Sequence, residues 1–151
     1  MSVFSVLVNG ALTHFFQSQT GLGQGCPLSP LLFILVMDGL SQWIDRAKQD
    51  RMILGIQVSP KHQLSHVFFV DDILLFGATT VEEWVKFHEI ISVYCSTSGI
   101  MISYTKSLFI FVEENIHPKI VEIFSIGGTS LVEGFHYLGF FLKPNSYRIS
   151  D

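Results

Sequence analysis

A chain of 151 residues is the size of one ordinary domain and buries roughly two thirds of its unfolded surface on folding. With 48% hydrophobic residues, 15% charged residues and a net charge of −4, it falls outside the disordered class and has no general basic coat for gripping phosphates. Its longest apolar run, Leu31 to Met37, stops at Asp38, far short of the roughly 18 residues that a membrane span requires. The first basic residue is Arg46 and the first acidic one Asp38. The opening segment therefore lacks the basic n-region of a secretory signal, and the chain is expected to be intracellular. Cys26 and Cys95, without CxxC spacing, form neither a disulfide framework nor a cysteine zinc site and are expected to be reduced thiols.

In chain order, the Val, Leu and Phe of residues 1–8 end at Asn9-Gly10, a dipeptide that tolerates positive φ and favours a tight turn between strands. Gly21, Gly23 and Gly25 alternate with Leu22 and Gln24 before Cys26-Pro27-Leu28-Ser29-Pro30, a loose backbone leading into a rigid helix start. Ser29 is suited to cap the free amides, and Pro30 to the first helical position. Phe33, Val36, Met37, Leu40, Trp43, Ile44 and Ala47 recur at three- and four-residue steps, which predicts a helix from about 30 to 49. His66 to Val70 and Ile73 to Phe76 are short apolar runs flanking Asp71-Asp72, the pattern of a hairpin with acids at its tip. Thr80 and Glu83 form a capping-box pair ahead of Val81, Trp84, Val85, His88, Ile91 and Cys95, a second helix ending near Ser98 and Gly99. Residues 100–112 return to strand-forming types around Lys106, residues 118–124 suit a short helix, and residues 135–142 a last strand. The fold class is α+β, with a mostly antiparallel sheet and helices packed on one face, in a single domain.

Two adjacent carboxylates inside one of the most apolar stretches need an explanation, because burying them unpaired would cost several kcal/mol each. A divalent cation satisfies them: Mg²⁺ takes carboxylate oxygen, and paired ions clamp the attacking and leaving oxygens of phosphoryl transfer. A solvent-exposed turn also satisfies them, and from the dipeptide alone it is the favoured reading, since Asp is a common turn former. The glycine loop can bring backbone amides to a phosphate or base, or can be a flexible turn, since it lacks the Lys and Ser/Thr of a P-loop. Lys106 sits in a polar gap between apolar runs and reads from spacing as a solvated strand lysine. The six histidines form no HExxH or similar pair, and no nucleophilic triad can be assembled.

The order of these blocks resembles the reverse transcriptases of LINE-like non-LTR retrotransposons. Ser5 to Gly10 resembles the strand turn leading into that family's glycine-proline motif, and GLGQGCPLSPLLF at 21–33 is similar to the motif itself. Phe69-Val70-Asp71-Asp72 resembles the polymerase box, commonly FADD in this group. Ser98 to Ser103 with Lys106-Ser107 resembles the next block, and Tyr137-Leu138-Gly139 the one after it. The resemblance spans nearly the whole chain. It implies a polymerase palm in which Asp71 and Asp72 hold Mg²⁺ (or Mn²⁺) and Lys106 stands near the triphosphate. It also implies that Gln24 and Gly25 line the template and nucleotide pocket, with Pro27 setting the helix behind them. An RNA template and a DNA primer are the implied substrates of the ancestral enzyme.

The departures from the family pattern set further expectations. The palm takes another catalytic Asp from a strand ahead of the glycine-proline block, whereas no Asp or Glu precedes Asp38, and Gly23 stands where the family usually has Arg. By the resemblance, segments corresponding to fingers and thumb are expected to lie outside residues 1–151. Residues 1–151 are therefore expected to be a palm portion that does not polymerise alone, binds nucleic acid weakly or not at all by itself, and self-associates through exposed apolar surface. A non-catalytic nucleic-acid or protein interaction domain derived from a retroelement is the alternative, and a truncated copy without selected function is a third reading.

Overall fold

The computed structural model describes residues 3–17, 26–78, 80–112 and 117–144. Near the N-terminus, β1 (Val3–Phe4) pairs antiparallel with β4 (Phe16–Gln17), and inside that pair β2 (Leu7–Val8) meets β3 (Ala11–Leu12). Val8 faces Ala11 across Asn9-Gly10, whose φ values are 50° and 82°. Two successive positive φ values match the right-handed twist of the flanking strands, and Asn and Gly adopt them at least cost.

Helix α1 (Ser29–Gln49) extends over the expected span, although Leu28 occupies the cap position and Ser29 is already helical, with its amide donating to the Cys26 carbonyl at 3.1 Å. It buries Met37, Leu40, Ile44 and Ala47, and Leu40 and Ile44 are fully covered. Helix α2 (Val81–Ser98) ends on Gly99, whose φ of 74° supplies the left-handed cap. Its buried stripe is Glu83, Phe87, Ile90, Ile91 and Tyr94, one residue round from the face that the sequence suggested. The two stripes pack together with Ile53, and the Tyr94 hydroxyl donates to Met37 Sδ at 3.2 Å. Each fully buried Leu, Ile or Phe in this contact contributes roughly 1.5–3 kcal/mol.

Between the helices lie two hairpins. Strand β5 (Ile56–Ser59) pairs with β6 (His62–Leu64), an element the apolar pattern did not reveal, and β7 (His66–Phe69) pairs with β8 (Asp72–Leu75). After α2 the chain forms β9 (Leu108–Phe111), α3 (His117–Phe124) and β10 (Gly127–Ser130), with β9 and β10 parallel, and the intervening helix is the crossover such a pair requires. Residues 100–107 are loop and turn rather than strand. The last strand expected over 135–142 is instead a hairpin, β11 (Phe135–Tyr137) and β12 (Phe140–Leu142), turning at Leu138-Gly139 with φ of 50° and 81°.

The class is α+β with mainly antiparallel pairing, as expected from the sequence; among the described residues the strands associate two by two rather than in one continuous sheet. The accessible surface is 11407 Å², against about 7,700 Å² for a folded monomer of 17.0 kDa. Many large apolar side chains are exposed, among them Leu7, Leu12 and Phe15 in the first hairpins and Leu31, Ile34 and Leu35 on α1. No helix among the described residues is long and apolar enough to cross a membrane.

Candidate active-site hairpin

The β7–β8 ladder pairs His66 with Leu75, Val67 with Leu74, Phe68 with Ile73 and Phe69 with Asp72. Asp71 thus lies in the two-residue turn and Asp72 opens the returning strand. The inward residues Phe68, Ile73 and Leu75 pack on the α1–α2 core, while Phe69, Val70, Asp71 and Asp72 are exposed. Val70 has a φ of 54°, a strained conformation for a β-branched residue, so the turn keeps a shape that valine does not favour. The hairpin therefore holds its two acids outside the core, and the burial cost raised by their apolar flanks does not arise.

The carboxylates of Asp71 and Asp72 take no ion pair or side-chain hydrogen bond among the described residues. Their oxygens are free to bind a hard cation, and carboxylate is the donor that Mg²⁺ or Mn²⁺ prefers. No cluster of three or more His, Cys, Asp or Glu suited to a metal is found among the described residues. The two exposed carboxylates carry the donor type that such an ion takes.

Strand β7 is tied to α1 through His66, whose Nε2 lies 2.8 Å from the Ser41 hydroxyl and whose Nδ1 lies 3.1 Å from that of Ser65. Burial pushes the His66 imidazole below the ordinary histidine value, a shift that Asp45 opposes and Lys48 reinforces. At the base of the hairpin the Phe76 amide donates to the Ser65 carbonyl at 2.8 Å, and beyond it the Trp84 indole N–H donates to the Ala78 carbonyl at 3.1 Å. The expected capping box between Thr80 and Glu83 is not formed: Thr80 caps the helix without a side-chain bond, and the Glu83 carboxylate accepts backbone amides from other segments. Glu83 lies four residues before Phe87, on the buried stripe of α2. That spacing was the available sequence signal for an inward carboxylate.

Of the other residues singled out from sequence, Gln24 and Gly25 lie outside the described residues, as do the glycine loop and Gly23. Pro27 is exposed in the turn entering α1. Beside it the exposed Cys26 thiol is held below its ordinary pKa, first by the backbone N–H of Leu28 and then by the Ser29 hydroxyl and amide. Lys106 is exposed in a turn whose amide donates to the Ser103 carbonyl at 3.0 Å. Among the described residues no ion pair or hydrogen bond joins Lys106 or Pro27 to the aspartates.

Residues 1–142 match the model of the family described as reverse transcriptase (RNA-dependent DNA polymerase). An uncharacterized mitochondrial protein of Arabidopsis thaliana is 40% identical over 67 residues, which is 44% of this chain and 55% of the relative. The chain thus spans about half the length of that curated relative. A match across nearly all of the sequence, with paired aspartates on an exposed hairpin turn behind a proline-initiated helix, leads to one conclusion: this chain belongs to the reverse transcriptase family.

Proposed function

We propose that the chain is the palm portion of a LINE-like, non-LTR reverse transcriptase, descended from an enzyme that extends a DNA primer on an RNA template and inactive in isolation. The observation that carries the reading is the pair of exposed, unbonded carboxylates at the tip of the β7–β8 hairpin in a chain of this family. Asp71 and Asp72 are the residues that hold Mg²⁺ or Mn²⁺. When bound, such ions lower the pKa of an attacking hydroxyl and neutralise phosphate charge. The reaction joins the primer 3′-oxygen to the α-phosphorus of a nucleotide as the bond to pyrophosphate breaks. Lys106, carried on a turn ahead of β9, supplies positive charge to the triphosphate and the departing pyrophosphate. Gln24 and Gly25 contact template and nucleotide, and Pro27 fixes the start of α1 behind them.

Two carboxylates hold an ion loosely, whereas in-line transfer requires both ions in register, and a displacement of about 1 Å costs on the order of a hundredfold in rate. No acid precedes Asp38 in this sequence, so these residues hold no carboxylate ahead of α1, the place from which the family resemblance implies a further ligand. The test supplies purified chain with an RNA template, an annealed DNA primer, nucleotides and Mn²⁺, and repeats the assay after fusion to an upstream palm segment bearing an Asp, with fingers and thumb. The expected result is no extension by the isolated chain and extension by the fusion that is lost in Asp71→Ala and Asp72→Ala. Extension by the isolated chain, lost in Asp71→Ala, would overturn the claim of incompleteness. Activity of the fusion that survives both substitutions would overturn the site.

A further inference from the structure

Glu83 is the third residue of α2, yet its side chain turns inward and is 3% exposed. Oε1 accepts the backbone N–H groups of Leu54 and Gly55, each at 2.8 Å, and Oε2 accepts that of Ala78, also at 2.8 Å. One carboxylate thereby joins the segment leading into β5, the exit from β8 and the first turn of α2. Packing alone does not call for an acid here, since Phe87, Ile90 and Tyr94 fill the rest of the same stripe with apolar groups. The three donors lie outside the strand ladders, where a buried amide left without a partner is costly. A carboxylate replaces the missing ladder with charge-assisted hydrogen bonds.

The segment held in this way is the base of the aspartate hairpin. Five residues separate Asp72 from Ala78, and Ala78 is gripped at both polar atoms by successive residues of α2: its N–H by Glu83 and its carbonyl by Trp84. The aspartate turn is exposed and is held through its ladder, through the packing of Phe68, Ile73 and Leu75 on the α1–α2 core, through the His66–Ser41 hydrogen bond to α1, and through that base. We propose that Glu83 is a positioning residue for Asp71 and Asp72, acting through the Ala78 backbone to set the direction in which the hairpin presents its acids. The proposal rests on the reading of that pair as the metal-holding site.

The test uses the full chain, with Mn²⁺ as the probe. In Glu83→Gln the carboxamide oxygen can keep Leu54 and Gly55, which leaves an NH₂ group facing the Ala78 N–H, donor against donor. The expected result is cooperative unfolding as before and exchange of the Ala78 amide about tenfold faster or more, with Leu54 and Gly55 still protected. Amides 70–72 also exchange faster, and Mn²⁺ affinity read by water-proton relaxation falls about tenfold. Trp84→Phe, which frees the Ala78 carbonyl and leaves Glu83 in place, should shift the same amides in the same direction and serves if Glu83→Gln does not fold. Release of Ala78 with no change in the turn amides overturns the proposal, as does an equal loss of protection throughout the core. If the wild type and Asp71→Ala bind Mn²⁺ alike, the metal reading fails, and the response of amides 70–72 still decides whether Glu83 positions the turn.

Discussion

Substituting alanine for glycine at two sites should move stability in opposite directions, and the packing around each says why. At Gly77 an added Cβ would lie 2.9 Å from both Cε2 and Cζ2 of Trp84 and 3.3 Å from its Nε1, well inside the ordinary carbon contact of about 3.5–4.0 Å. The indole has little room to retreat. It meets Phe109 edge-on at 5.0 Å, lies 5.4 Å from Phe87 and 6.3 Å from Phe124, and is hydrogen-bonded to the Ala78 carbonyl. Overpacking of this kind costs about 1–3 kcal/mol, and the smaller unfolded-state entropy of alanine returns about 0.4–1 kcal/mol, so Gly77→Ala should destabilise by about 1–2 kcal/mol. Gly39 lies within α1, and its added Cβ meets nothing within 4 Å; helix propensity alone should stabilise Gly39→Ala by about 0.5–1 kcal/mol. Urea unfolding at an unchanged slope would report both, and in a thermal scan each kcal/mol is about 2–4 °C at this chain length. A neutral or stabilising Gly77→Ala would refute the fixed tryptophan. A destabilising Gly39→Ala would show that the 260 Å³ groove beside Gly39, lined also by Trp43 and Tyr94, is filled in solution.

Three other outcomes are expected. Cys26 is exposed with its thiol pKa lowered, whereas burial raises that of the partly covered Cys95; iodoacetamide at pH 7.5 should therefore modify Cys26 first, and equal rates in a peptide map would contradict the helix-entry geometry. Because burial lowers the His66 pKa below 6.5, the unfolded chain takes up a proton that the folded chain resists, so the stability tied to neutral His66 is present above that value and is lost as pH falls through the folded pKa. Urea midpoints should drop between pH 7 and 5, and should drop less in His66→Gln; equal drops would exclude His66 as the source. Sedimentation at tens of micromolar should show species larger than a monomer, given the apolar side chains exposed along residues 3–16 and 28–35, and a single 17.0 kDa species would contradict that expectation.

The parts of the fold legible in the sequence are those written in local chemistry. Helix α1 is announced by Pro30 and by seven apolar residues at helical spacing, and α2 by its spacing and Gly99. The first hairpin is announced by Asn9-Gly10, where both residues take the positive φ that their side chains permit. Elements that rely on their surroundings were hidden. The β5–β6 hairpin turns through Pro60-Lys61 with mostly exposed, mixed polar strands, so it shows no alternation of buried and exposed residues. Leu138 adopts φ of 50° in the β11–β12 turn, a conformation that leucine's own preferences disfavour; the surrounding pairing imposes it, and a window of apolar residues therefore reads as one strand.

The candidate site divides along the same line. Asp71 and Asp72 stand out in sequence because charge interrupts an apolar run, and that contrast survives into the structure as a ladder half-buried on one face with an exposed tip. Glu83 does not stand out, because a glutamate three residues after a threonine at a helix start has a familiar local use in the capping box. Its actual partners, Leu54, Gly55 and Ala78, are backbone amides, and an amide carries no side-chain signature by which a distant partner could be recognised. Only the spacing of Glu83 to Phe87, Ile90 and Tyr94 shows that it shares the face turned toward the core. An acid that would bind an ion is visible because it must remain exposed among apolar neighbours. An acid that supports the hairpin is concealed because its function requires it to be buried.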